Sequence, residues 1–215
     1  MSERFTYEAQ FSRGQAIKYI SHLDMMRTWE RLLLRAHLPV AYSEGFNPRP
    51  RLAFAAPLAV GVLALAELAE LTLTEAVSQQ EVRARMTAQA PPGLDVYRIE
   101  AVPHERAALQ ARMREAAYEV TLPDAEPLRV AGAVGEFLSQ TSVAMRSERK
   151  GKERQFDLRP LVLSLAIVGS DTPRLSMLLR HDPQATGRTG DVLLALGLDP
   201  LAAVTTRTEL VLAPA

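Results

Sequence analysis

Within its first forty residues the chain switches hydrophobic period, and that switch constrains the fold more than any motif does. "FTYEAQF" alternates strictly, with Phe5, Tyr7, Ala9 and Phe11 on one face and Thr6, Glu8 and Gln10 on the other. That is the period of a half-buried strand. "SHLDMMRTWERLLLRAHL" then takes a helical period, with Met26, Trp29, Leu33 and Ala36 on one stripe. Ser21 is placed to cap this helix, Asp24 supplies the acid of a capping box, and Pro39 stops it. "RLAFAAPL" and "AELTLTEA" read as strands, "SQQEVRARMTAQA" as a helix capped by Ser78 and Glu81, and "LDVYRIEAV" as a strand. The order is β-α-β-β-α-β, the ferredoxin-like arrangement.

The second half repeats the order of elements without repeating residues. "AYEVTL" is a strand and "EPLRVAGAVGEFLSQ" a helix with Leu128, Ala131, Val134 and Leu138 as its apolar stripe. A hairpin turns around "RKGK". Strands follow at "LVLSLAIV" and "PRLSMLLR", then a short helix "GDVLLALG" ended by Gly197, and a last strand "VTTRTELVL". The expected fold class is α+β, two ferredoxin-like βαββαβ sandwiches packed in tandem. Their expected bounds are 1–103 for the N-terminal lobe, 104–115 for a helical connector and 116–215 for the C-terminal lobe.

Charge decides what kind of partner is possible. Formal net charge is zero, so no global field recruits nucleic acid, and a basic site has to be local. Arg27, Arg31 and Arg35 recur every four residues on the first helix and share a face. Arg49 and Arg51 follow in the loop "YSEGFNPRPR". Arg146, Arg149, Lys150, Lys152, Arg154 and Arg159 gather around the turn at Gly151. Such groups either bind phosphates or keep a helix face and a hairpin edge soluble. Asp24, Glu30, Glu148 and Glu153 interleave with them.

The loop is stiff by composition. Gly45 allows positive φ, Pro48 and Pro50 restrict themselves and their predecessors, Asn47 can fold onto nearby backbone, and Ser43 completes the scaffold. Rigidity before binding lowers the ordering cost of association. Tyr42 and Phe46 can stack on a base. Of the two readings of Phe46, the plug that pins the loop to the sheet is the one preferred.

Chemistry is thinly represented. With no cysteine, thiolate metal sites, disulfides and cysteine nucleophiles are excluded. His22, Asp24 and Tyr42 are the candidates for acid–base work, but Asp24 is already accounted for by helix capping, and the four histidines share no ligand spacing. "GRTGD" (187–191) departs by one glycine from the arginine–threonine–aspartate element of some pseudouridine synthases, and Thr189 to Asp191 reads as a helix cap. No metal or cofactor is expected. No segment reaches the roughly 20 apolar residues of a membrane span, and a cytoplasmic, bacterial-type protein is expected.

"KYISHLDMMRTWERLLLRAHLPVAYSEGFNPRPRLAFAAPLAVG" (18–61) is long and specific. With "AELAELTL", "PPGLDVY" and "FDLRP" (156–160) it resembles the radical-SAM-linked protein family, a bacterial domain found free-standing or fused behind a radical SAM protein. The family pattern falls on His22, Asp24, Tyr42, Ser43, Gly45, Phe46, Asn47, Pro48, Asp157, Arg159 and Pro160. The resemblance implies RNA or ribosome-linked work beside a radical SAM enzyme, because the family's genes tend to lie near those of ribosomal proteins and an RNA-processing ribonuclease. This chain lacks the cysteine triad that holds a radical SAM cluster, so that partner is a separate chain. The expected function is a non-catalytic RNA-binding accessory module. An RNA-modifying or RNA-processing enzyme, or a protein–protein adaptor, is the alternative.

Overall fold

The structure, a computed structural model, describes residues 3–149, 152–169 and 172–214; the side chains of Ser147, Glu148, Arg149, Lys152 and Arg154 lie outside what it describes. The chain divides into two units, Met1–Met113 with Ala213–Ala215, and Arg114–Leu212. It is a mixed α+β protein whose strands pair mostly antiparallel.

In the first unit β1 (Phe5–Arg13), α1 (His22–Arg35), β2 (Leu52–Phe54), β3 (Leu63–Leu73), α2 (Gln79–Gln89) and β4 (Leu94–Val102) follow in order, with a single turn α3 (Leu109–Arg112) after them. The strand order is β4-β1-β3-β2, with every pairing antiparallel. The alternation of β1 works as read: Tyr7, Ala9 and Phe11 are buried against α1 and α2. Trp29 is fully buried, edge-on to Phe11 at 4.8 Å and to Phe54 at 5.4 Å. Burying one such aromatic contributes roughly 1.5–3 kcal/mol. The strand after the loop is shorter than "RLAFAAPL" predicts, and β3 begins six residues before "AELTLTEA", because its first half buries Ala64, Glu67 and Leu68 rather than alternating.

The other face of this sheet is covered too. Glu8 on β1 sits across from Glu70 on β3 and Glu100 on β4, and like charges side by side repel. Arg106, from the segment after β4, donates to Glu8 at 2.7 Å and Glu70 at 3.0 Å, and Arg112 stands 3.5 Å from Glu8. The Thr6 hydroxyl and His104 Nδ1 share a hydrogen bond of 2.7 Å. The segment expected as a helical connector holds the single turn α3 and is also an ionic clasp across the back of the sheet.

In the second unit β5 (Met113–Thr121), α4 (Pro127–Ser139), β6 (Ala144–Arg149), β7 (Lys152–Asp157), β8 (Val162–Val168), β9 (Arg174–Arg180), α5 (Thr189–Ala195) and β10 (Val204–Leu212) follow in order. The strand order is β10-β5-β9-β8, and β6 and β7 form a hairpin of their own. Two expectations are corrected here. Helix α4 buries Val130, Val134 and Phe137, while Leu128 is 80% exposed and Leu138 also faces solvent. The helix carries two overlapping apolar stripes, and the bulkier one with Phe137 takes the core. Thr189 is not the cap of α5 but its first residue; Arg188 holds the N-cap position without a side-chain bond, and burial raises the pKa of Asp191 in the first turn. In the same "GRTGD" segment a Cβ on Gly187 would come within 2.9 Å of the Leu161 carbonyl, so close packing requires that glycine.

Candidate nucleic-acid interface

The loop 42–51 is built as a hairpin. At its base Arg51 N–H donates to Ala41 O (2.8 Å), Ala41 N–H to Thr72 O (2.8 Å) and Thr72 N–H to Arg51 O (3.0 Å), which seats the loop on β3. Tyr42 and Pro50 form a bridge. Above them Ser43 N–H donates to Arg49 O at 2.8 Å, and the Ser43 Oγ accepts from Arg49 N–H at 3.0 Å. Ser43 thus closes the loop with both main chain and side chain. Residues 44–48 are left as the tip, with Gly45 at φ +124° and Pro48 fixing the return. Asn47 makes no side-chain hydrogen bond among the described residues, so the expected fold-back onto backbone is not part of this scaffold.

What the scaffold holds out is the informative part. Phe46 is fully exposed (106%), so it is not the plug that pins the loop to the sheet. Tyr42 is half exposed. The Arg49 side chain is 74% exposed, and its one ion pair among the described residues is with Glu30 at 3.8 Å, a contact of little strength in water. Glu44 at the tip is likewise 3.8 Å from Arg4. Arg51, which the sequence makes the equal of Arg49, is half-buried, and its Nε is shut away from solvent without a hydrogen-bond partner among the described residues.

The other basic groups fare differently. Arg27 pairs with Asp24 at 3.1 Å and Arg35 donates to Gln89 O at 2.8 Å; Arg31 is exposed. On the hairpin Arg146 is exposed opposite Gln155. Arg149 is in register with Lys152, and Ser147 with Arg154. Lys150 lies outside the described residues, as do the side chains of Arg149, Lys152 and Arg154. A groove of about 320 Å³ in the second unit is lined by Asp124, Glu126, Asp199 and Arg129, an acidic rim unsuited to phosphate.

Of the three acid–base candidates, Asp24 is occupied by the helix start. The Ser21 hydroxyl donates to its Oδ2 at 2.7 Å and Ser21 Oγ accepts from its N–H at 3.1 Å; the hydroxyl bond, with Arg27 beside it, holds the carboxyl below its ordinary range. His22 lies edge-on to Phe54 at 5.7 Å, and desolvation, with the Arg13 guanidinium nearby, lowers its pKa. Its deep neighbours are Arg13 and Glu67, both buried, around a cavity of about 10 Å³, room for roughly one water. Arg13 donates to the carbonyls of Ile17, Lys18 and Ile20. Sequence reasoning passed over both residues. The signal for Arg13 was present: it continues the inward face of Phe5, Tyr7, Ala9 and Phe11.

The "FDLRP" segment is a structural clasp. Asp157 Oδ1 accepts from Val143 N–H (2.8 Å) and Arg159 N–H (3.0 Å), and these backbone bonds lower its pKa. Arg159 donates to Gln140 O and Val162 O, both at 3.1 Å, with its guanidinium over the Phe137 ring at 5.8 Å.

Residues 6–188 match the family model described as uncharacterized protein conserved in bacteria (DUF2344). The chain belongs to that family. The matched span contains the whole 42–51 loop, the His22 neighbourhood and the "FDLRP" clasp. No curated protein matches the sequence. Among solved structures, a chain in the crystal structure of a Cbf5-Nop10-Gar1 complex is similar over 96% of this protein, at 12% identity and a TM-score of 0.45. This protein spans 48% of that chain's length. An unknown protein from Galdieria sulphuraria is similar over 98% of this protein and all of its own length, at 13% identity and a TM-score of 0.28. Among the described residues no helix is long and apolar enough to cross a membrane.

Proposed function

We propose that this protein is a non-catalytic RNA-binding module that works beside a separate radical SAM enzyme, in modification of transfer or ribosomal RNA or in another ribosome-linked RNA process. One observation carries the RNA reading: a loop closed by Ser43 and two prolines carries a solvent-exposed guanidinium, Arg49, and two exposed aromatic rings, Tyr42 and Phe46. Phosphate neutralisation and ring stacking are the two interactions that RNA recognition combines. The strand orders β4-β1-β3-β2 and β10-β5-β9-β8 support reading each unit as a ferredoxin-like platform, a recurring support for RNA. The radical SAM partner rests on the resemblance of segment 18–61 and "FDLRP" to the linked family.

The test is binding of purified protein to total bacterial RNA at about 50 and 200 mM salt. Several phosphate contacts lower the affinity by orders of magnitude between those two concentrations. Arg49→Ala is expected to weaken binding and to reduce the salt slope by about 1. An absence of binding at the lower salt overturns the proposal.

A further inference from the structure

The Phe46 ring narrows the class of RNA. We infer that the 42–51 loop takes an unpaired base, so that the ligand is single-stranded RNA or a loop or bulge rather than a continuous duplex. This rests on the RNA reading and goes one step further.

The ring stands at full exposure on a tip of five residues, above a hydrogen-bonded neck at Ser43 and Arg49. Among the described residues the ring makes no aromatic or cation contact, and Gly45 beside it has open space where a Cβ would be. A flat apolar ring in water is complementary to the face of a nucleobase. In a duplex both faces of each base are covered by its neighbours, so a ring at a loop tip reaches a base face only where the strand is unpaired or splayed. Arg49, on the descending arm of the same loop two residues past Asn47, holds an exposed guanidinium that a backbone phosphate can pair with. Tyr42, on the ascending arm and half exposed, offers a second ring to a neighbouring base. The loop is only weakly basic, since Glu44 offsets one of the two arginines. A duplex reader would need a denser array of cations to follow two phosphate strands, and stacking does not need it.

The experiment uses the full chain and an oligoribonucleotide of about 12 nucleotides, free or annealed to its complement. The free strand is expected to bind at least about tenfold more tightly than the duplex, and Phe46→Ala to remove that preference while Phe46→Tyr keeps it. Phe46→Trp adds a direct readout. The protein's single tryptophan, Trp29, is fully buried, so quenching seen in the variant and not in the parent reports a base on the loop ring. Equal affinity for strand and duplex with no response to Phe46→Ala overturns this inference and leaves the RNA reading standing. Failure of both forms to bind at about 50 mM salt overturns both.

Discussion

In the segment 156–160 the two charged side chains end on backbone groups of the chain itself. Asp157 accepts two backbone N–H groups, Arg159 donates to two carbonyls and covers Phe137, and Leu158 is fully buried. In the loop 42–51 the backbone is bonded at the neck and base, through Ser43, Arg49 and Arg51, but among the described residues the tip and its side chains make no such bonds. Phe46 is in water and Arg49 has one distant carboxylate. Both segments are short, contain arginine and proline, and belong to the pattern that carries the family resemblance. The difference teaches that an arginine in a motif says little until its hydrogen bonds are traced. Where they are satisfied internally the motif is scaffold; where they are left open on a rigid support the motif is a surface.

The sharpest way to break this comparison is to remove arginines of the first kind. Arg13 is 2% exposed and ties three carbonyls ahead of α1, so Arg13→Ala is expected to lower the unfolding free energy by about 3–4 kcal/mol in urea titration. Arg159→Ala leaves two carbonyls and a ring face uncovered in a less buried place, and the loss is expected at about 2 kcal/mol. Arg159→Lys does not restore it, because one ammonium cannot reproduce the planar fork. RNA affinity at constant folded fraction should be unchanged in both.

A pH titration extends the same reasoning to the second unit. Burial, with the Arg207 guanidinium adding to it and Asp182 opposing it, pushes the His181 imidazole down to about 4, and its Nδ1 is buried without a hydrogen-bond partner among the described residues. The folded state therefore takes up this proton later than the unfolded state, whose pKa is near 6.5. Stability contributed by neutral His181 is complete above about pH 6.5 and is lost as pH falls toward 4. Partial solvent screening reduces the loss to about 2 kcal/mol. His181→Leu should flatten that part of the curve. If wild type and variant lose stability in parallel over the window, His181 is not desolvated as described.

Much of this scaffold was legible because its signals are local. Ser21 with Asp24 and Ser78 with Glu81 mark helix starts within four residues of sequence, and both serines accept the expected N–H groups. The inward alternation of β1 is visible for the same reason. What failed depends on neighbours far along the chain. The buried stripe of α4 is chosen by the sheet it meets, so Val130 and Phe137 win over Leu128. The inequality of Arg49 and Arg51 arises because one backbone position pairs with Thr72 of β3 and the other does not. Whether Phe46 is plug or probe has no local signature at all, since the same glycine and prolines serve either. Arg13 was readable in part: an arginine on the apolar face of a strand must satisfy its donors inside the protein.

The smallest expected effects on stability carry the most weight for the loop. Asp24→Asn loses a charged partner for Ser21 and Arg27 at an exposed helix start, so a slight drop in Tm and no change in RNA affinity are expected. An unchanged Tm together with a lost RNA-directed turnover would instead make Asp24 catalytic. Arg49→Ala and Phe46→Ala should each change the unfolding free energy by less than about 0.5 kcal/mol, the range of exposed positions with no internal role. The neck survives both, because Ser43 bonds to the backbone of Arg49 and not to its guanidinium. Ser43→Ala provides the contrast: it removes the side-chain half of the neck, with an expected cost of about 1 kcal/mol, while leaving the aromatic and cationic groups in place. If Ser43→Ala weakens RNA binding although it touches neither group, the rigidity of the loop is part of its affinity. If Arg49→Ala proves as destabilising as Arg159→Ala, the loop is scaffold like the clasp, and the distinction between the two segments falls.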